Sequence, residues 1–135
     1  MPEKSKILII DDDRDLVETL KTILEAHNFS VSVVYDGEEG LERIKEANPN
    51  LIILDIMMQT KGEGFWIAQK LKSKDPKSEY VEYSHIPIIV LTAIQKKTEF
   101  KFSLEEDKDY LPVDDFIDKP IQPEKLLEKI EALLN

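Results

Sequence analysis

Five short runs of aliphatic, largely β-branched residues punctuate the chain, at 7–10, 31–34, 51–54, 86–91 and, more weakly, 116–117. Segments with helical spacing lie between them. Strands and helices that alternate in this way build βαβ units, because two parallel strands must be joined by a crossover, usually a helix. The runs are apolar at nearly every position, not at every second one, as suits strands buried on both faces. The pattern therefore predicts an α/β fold: a doubly wound, mostly parallel five-stranded sheet with helices on both faces. With 135 residues, the chain has the length of one domain, 1–135.

Apolar stripes and caps place the helices. Leu16, Val17, Leu20, Ile23 and Leu24 share one face of a helix over about 13–27. Asp36 followed by Glu39 reads as a capping box, opening a second helix that turns Leu41, Ile44 and Ala47 inward and stops before Pro49. A third begins near Gly64 and carries Phe65, Ile67, Ala68 and Leu71. In the last helix Pro123 stands in the first turn, where its missing N–H costs nothing, and Leu126, Leu127, Ile130, Leu133 and Leu134 face inward. Residues 73–84 read as a long polar loop. Residues 95–111 carry conflicting signals: Phe100, Phe102 and Leu104 alternate as in a strand, whereas Ser103 with Glu106 can cap a fourth helix. That conflict makes 95–111 the stretch expected to be most mobile.

Composition then narrows the setting. No apolar run approaches the roughly 18 residues that cross a bilayer, and residues 1–6 carry no signal-peptide pattern. There is no cysteine, hence no disulfide and no thiolate metal site. These features fit a cytoplasmic protein with no membrane partner. The net charge of −10 opposes direct binding to nucleic acid or anionic lipid, although solubility alone also explains an acidic surface.

The chemistry lies at the strand ends. The first strand is followed by Asp11-Asp12-Asp13, the third by Asp55, the fourth by Thr92, and the fifth by Asp118-Lys119-Pro120. In an open α/β sheet ligands bind at this carboxyl edge, where the strand order reverses. If the first and third strands are neighbours, Asp11, Asp12 and Asp55 converge, and three carboxylates at close range disfavour one another's ionisation. A hard divalent cation such as Mg²⁺, bound by carboxylates, water and phosphate oxygens, resolves that conflict. Taken alone, the triple Asp also suits a solvated helix start. A buried strand ending on a further acid has no such packing reason. Lys119 and Thr92 can meet phosphoryl oxygens as a point charge and a hydroxyl donor, which is what electrostatic catalysis of phosphoryl transfer requires, with Asp55 as nucleophile.

Ile-Leu-Ile-Ile-Asp-Asp-Asp at 7–13, Leu-Asp-Ile-Met-Met at 54–58, Val-Leu-Thr-Ala at 90–93 and Asp-Lys-Pro at 118–120 together resemble the receiver domain of two-component response regulators, of the single-domain, chemotaxis-regulator-like kind. The resemblance runs in order along essentially the whole chain. It implies a flavodoxin-like parallel sheet of order 2-1-3-4-5, phosphorylation by a sensor histidine kinase or a histidine phosphotransfer protein, and a required Mg²⁺, for which Mn²⁺ may substitute. By position, Asp55 resembles the phosphoacceptor, Asp12 the direct metal ligand and Asp11 its water-mediated companion, with the backbone carbonyl of Met57 completing the protein ligands. Lys119 resembles the phosphate-contacting lysine, and its bond to Pro120 is similar to one usually cis. Thr92 resembles the switch hydroxyl and Phe116 the switch aromatic, while the small Ala93 leaves access for the donor. Asp13 reads as helix-initiating and not as a ligand. The implied output is a rearranged face of fourth helix, fifth strand and fifth helix, which engages a downstream protein or a second copy of the chain.

Departures from the family pattern fall mostly on that face and on the loop after the third strand: Gln59 replaces a usual Pro, Leu111-Pro112-Val113 replaces Gly-Ala, and 73–84 and 95–111 are expanded. Apolar Met57 and Ile94, at positions that tune the attack of water in this family, imply a long-lived acyl phosphate. Two other readings are weighed against this one. A degenerate receiver, binding partners without phosphorylation, is opposed by the intact Asp12, Asp55, Thr92 and Lys119. An aspartyl-phosphate phosphatase needs a second Asp two residues after the nucleophile, and Met57 stands there. The chain is thus expected to catalyse only its own phosphorylation and dephosphorylation, and not to turn over a separate substrate. His27 and His85 lack metal-ligand spacing, so no zinc site is expected.

Overall fold

The computed structural model describes residues 4–55, 63–93 and 113–134. Five strands form in them: β1 (Lys6–Ile10), β2 (Ser30–Val34), β3 (Leu51–Asp55), β4 (Ile88–Ala93) and β5 (Asp115–Lys119). They pair in the order β2-β1-β3-β4-β5, every pair parallel, as the resemblance implied. The helices α1 (Arg14–Ala26), α2 (Gly37–Ala47), α3 (Glu63–Leu71) and a C-terminal helix (Pro123–Leu134) cover the sheet.

Strand alternation splits the core into two layers. Leu8, Ile10, Ile52, Leu54, Ile88 and Val90 face one way, against Leu41 and Ile44 of α2 and Ile67 and Leu71 of α3. Ile7, Ile9, Leu51, Ile53, Ile89 and Leu91 face the other, against Val17, Leu20 and Leu24 of α1 and Leu126 and Ile130 of the C-terminal helix. Asp13 caps α1 by accepting the Leu16 N–H at 3.1 Å, and Asp36 caps α2 by accepting the Glu39 N–H at 2.8 Å. These two caps fix where the helices leave the sheet edge, and each contributes about 1 kcal/mol. Gly40 lets α2 sit close on β1: a Cβ there would lie 2.7 Å from Ile10 Cδ1.

Three expectations need revision. β4 starts at Ile88, not at 86, and runs on to Ala93. Pro87 has no N–H to donate, so the ladder begins after it, while the Pro87 carbonyl accepts the Ile52 N–H at 3.0 Å. The fifth strand is longer than 116–117, spanning Asp115–Lys119. Residues 73–84 are more than a polar loop, since they contain a 3₁₀ turn (Val81–Tyr83) and bury Tyr80 among Leu41, Ile67 and Ile86. Lys45 of α2 pairs with Glu79, and the ammonium groups of Lys45 and Lys70 lie 5.0 and 5.8 Å from the Tyr80 ring centre. Trp66 is exposed, with Lys70 over its ring at 4.7 Å. The predicted ambiguous stretch 95–111 and the loop change at Gln59 lie outside the described residues.

Two ion pairs hold the start of β5. Asp114 accepts from Lys72, at the end of α3, and from the Ile88 N–H, each at 2.8 Å. Asp115 meets Lys129 of the C-terminal helix at 2.9 Å. Consecutive strand residues point to opposite faces, so the two lysines reach the strand from the two helical layers.

Candidate functional site

The register of the sheet assembles the acids. Ile10 pairs with Leu54, so Asp11 and Asp55 stand level at the ends of adjacent strands. The Asp11 N–H continues the ladder to the Val34 carbonyl at 3.2 Å, which fixes the chain as it turns out of β1. Asp11 is fully buried and Asp55 is 2% exposed, while Asp12 is half-buried. One carboxylate oxygen from each of the three lies within 4.8 Å of the others.

Lys119 enters from β5. Its Nζ lies 3.7 Å from Asp11 Oδ2 and 3.6 Å from Asp55 Oδ2, bridging the two buried carboxylates. Its bond to Pro120 is cis, as the resemblance implied. Asp11 Oδ1 accepts the Asp13 N–H at 2.9 Å, but Oδ2 is buried and has no hydrogen-bond partner among the described residues. Burial first, and the Asp55 carboxylate beside it, push the Asp11 carboxyl up to about 7, against the opposing Asp13 N–H and Lys119 ammonium. An unsatisfied buried acceptor costs about 1–3 kcal/mol. A cation among these carboxylates would remove that cost. The donors are all hard oxygens, with one acid half-open to solvent, which fits Mg²⁺ or Mn²⁺ and not a thiophilic metal.

Of the residues singled out in the sequence, the structure brings together Asp11, Asp12, Asp55 and Lys119. Asp13 caps α1 instead of joining them. Thr92 and Ala93 end β4, in register with Asp118 and Lys119, which places them at the same edge. Their side chains, and Met57 and Ile94 altogether, lie outside the described residues. Phe116 is half-buried against the α2 and α3 layer of the core. One contact at this edge was not anticipated: the Arg14 guanidinium carbon lies 4.1 Å from the centre of the Tyr35 ring. An arginine directly after the acids and a tyrosine directly after the second strand were visible, but their meeting depends on the β1–β2 register.

Many known proteins are similar to this chain. The response regulator receiver domain family matches residues 7–131. The chain is 36% identical over 132 residues to a probable transcriptional regulator, ycf27, of Porphyridium aerugineum, an alignment that takes in 98% of this chain and 49% of that protein. It is 30% identical over 131 residues to the DNA-binding response regulator MtrA of Mycolicibacterium paratuberculosis, covering 97% of this chain and 52% of the other. The chain thus spans about half the length of these relatives. Among solved structures, the signal receiver domain of a signal transduction histidine kinase from Syntrophus aciditrophicus superposes with a TM-score of 0.77 at 31% identity, over 96% of this chain and 89% of that one. In sequence motif, strand order and the acidic cluster with its lysine, the chain belongs to the response regulator receiver domain family.

Proposed function

We propose that the chain is a phosphoacceptor, which takes a phosphoryl group onto Asp55 from the phosphohistidine of a sensor histidine kinase or a histidine phosphotransfer protein. The observation that carries this reading is the convergence of Asp11, Asp12 and Asp55 within 4.8 Å, with Lys119 Nζ 3.6 Å from the Asp55 carboxylate. Asp55 is the nucleophile: its carboxylate oxygen attacks phosphorus, an O–P bond forms, and the P–N bond to the donor imidazole breaks. Asp11, Asp12 and Asp55, with the Met57 carbonyl that the family resemblance implies, would hold Mg²⁺ or Mn²⁺, which would supply positive charge against the carboxylates and the phosphoryl oxygens. As the Asp55 negative charge passes into the acyl phosphate, Lys119 is left to face the phosphoryl oxyanions. Thr92 donates its hydroxyl to a remaining oxygen, Ala93 leaves the approach open, and Phe116 turns inward to complete the switch. No separate substrate is turned over; the chain promotes only the making and loss of its own acyl phosphate. Output passes through the face that includes β5 and the C-terminal helix, to a downstream protein or a second copy.

The test is intact mass after incubation with acetyl phosphate, with and without Mg²⁺, on the wild type and Asp55→Ala. The expected result is one phosphoryl adduct that requires both the metal and Asp55. No adduct under any condition overturns the reading.

A further inference from the structure

Six acids, Asp11, Asp12, Asp13, Asp15, Asp36 and Asp55, lie on or beside the carboxyl edge of the sheet. A phosphoryl donor is itself an anion and must approach against that field. Lys119 is already engaged with Asp11 and Asp55. Arg14 is a further cation at this edge, the first residue of α1 and two residues beyond Asp12. Despite its acidic neighbours, it makes no hydrogen bond or ion pair with any described residue and instead stacks on Tyr35. Tyr35 follows Val34, whose carbonyl accepts the Asp11 N–H, so the backbone below the ring is tied to the acidic turn. Arg14 is exposed, so a guanidinium held over the ring still has N–H donors that solvent or an oxyanion can reach.

We propose that Arg14, stacked on Tyr35, is the entry cation of the site, contacting the phosphoryl oxyanion of an incoming donor and so setting which donors react fastest. The proposal rests on the phosphoacceptor reading above. The relevant chemistry is a phosphoryl oxyanion, carried either by a protein phosphohistidine or by a small phosphodonor. An arginine that only shelters Tyr35 from water would look the same in the structure, so the experiment separates charge from packing.

The measurement is the second-order rate of Asp55 phosphorylation, followed by intact mass across a range of ionic strength. The donors are acetyl phosphate, phosphoramidate, which carries less negative charge, and a phosphorylated histidine phosphotransfer protein. The proteins are the wild type, Arg14→Ala and Arg14→Lys, each checked for folding by its thermal midpoint. Arg14→Ala is expected to slow acetyl phosphate by about threefold to tenfold, to slow phosphoramidate less, and to make the rate rise more steeply with salt, because the anion then meets a more negative edge. Arg14→Lys is expected to restore the salt dependence but not the full rate, since the ammonium keeps the charge and loses the stacked fork. Slowing with the phosphotransfer protein as well extends the contact to phosphohistidine, whereas slowing with acetyl phosphate alone assigns it to small donors. Unchanged rates and slope in Arg14→Ala overturn the proposal, as does equal slowing of all donors with an unchanged slope. Absence of any adduct on the wild type overturns the phosphoacceptor reading instead, and the role of Arg14 with it.

Discussion

A carboxyl group that is buried, lies against a second acid and leaves one oxygen without a donor binds its proton more tightly in the native state than in the unfolded chain. Asp11 is such a group, raised from the usual 3.8 to about 7. Between those values the native state holds the extra proton, so stability from this residue falls as pH rises from about 4 through about 7. In metal-free protein the loss is complete by pH 8. Asp11→Asn keeps the shape without the charge, and is expected to raise the metal-free stability at pH 8 by on the order of 2 kcal/mol while leaving it nearly unchanged at pH 4. Urea unfolding of both proteins at the two pH values checks the sign. Lys119 sets a second expectation. Its ammonium faces Asp11 and Asp55 and cannot itself ligate a cation, so Lys119→Ala should leave Mg²⁺ affinity intact or raise it, while phosphorylation no longer reaches the output. Asp12→Ala should lower the affinity sharply. Calorimetric titration of Mg²⁺ into the two variants decides, and an equal fall in both contradicts the roles given to them.

At the scale of elements, the loop between α3 and β4 is where reading the sequence and seeing the structure diverge most. Its composition is polar, and nothing in its spacing marks Tyr80 as a core residue. The tyrosine is buried by contacts distant in sequence: Leu41 on α2, Ile67 on α3, and the lysine ammonium groups beside its ring. Tyr80→Ala is expected to destabilise the fold by about 3 kcal/mol, because a large aromatic leaves a void that its neighbours only partly fill. Phosphorylation of Asp55 should survive in the variant at a temperature where it is folded; chemical denaturation together with intact mass reads both. By contrast, α1 and α2 were legible from Asp13 and Asp36, whose caps depend only on residues three positions away. The site was legible for a related reason. Asp11, Asp55 and Lys119 end strands, and a parallel sheet brings strand ends to one edge. The start of β4 was not, since Ile86 is as buried as the strand yet precedes Pro87, and burial alone does not distinguish a ladder residue from a neighbour. The Arg14–Tyr35 contact joins the first residue of α1 to the turn after β2, whose proximity no local spacing encodes.

For the whole molecule the governing quantity is charge. The matched portion of MtrA is about half of that DNA-binding regulator. The present 135 residues carry a net charge of −10. Counterion release, the main source of affinity for DNA, needs a basic surface to drive it. The chain by itself is therefore expected not to retard duplex DNA in a gel-shift assay at physiological salt, phosphorylated or not; a salt-sensitive shift would show a basic surface that the sequence does not provide. Among the described residues no helix is long and apolar enough to cross a membrane.

The paired aspartates at the head of β5 have a mechanical consequence. Asp114 is tied to Lys72 and to the Ile88 N–H, and Asp115 to Lys129, so the strand is clamped from both sides at its first residues. Lys119, at its far end, reaches the acids. Were Asp55 phosphorylated as proposed, a pull on Lys119 would act on a strand tied at its opposite end, and the residues between Phe116 and Lys119 would be the ones left to respond.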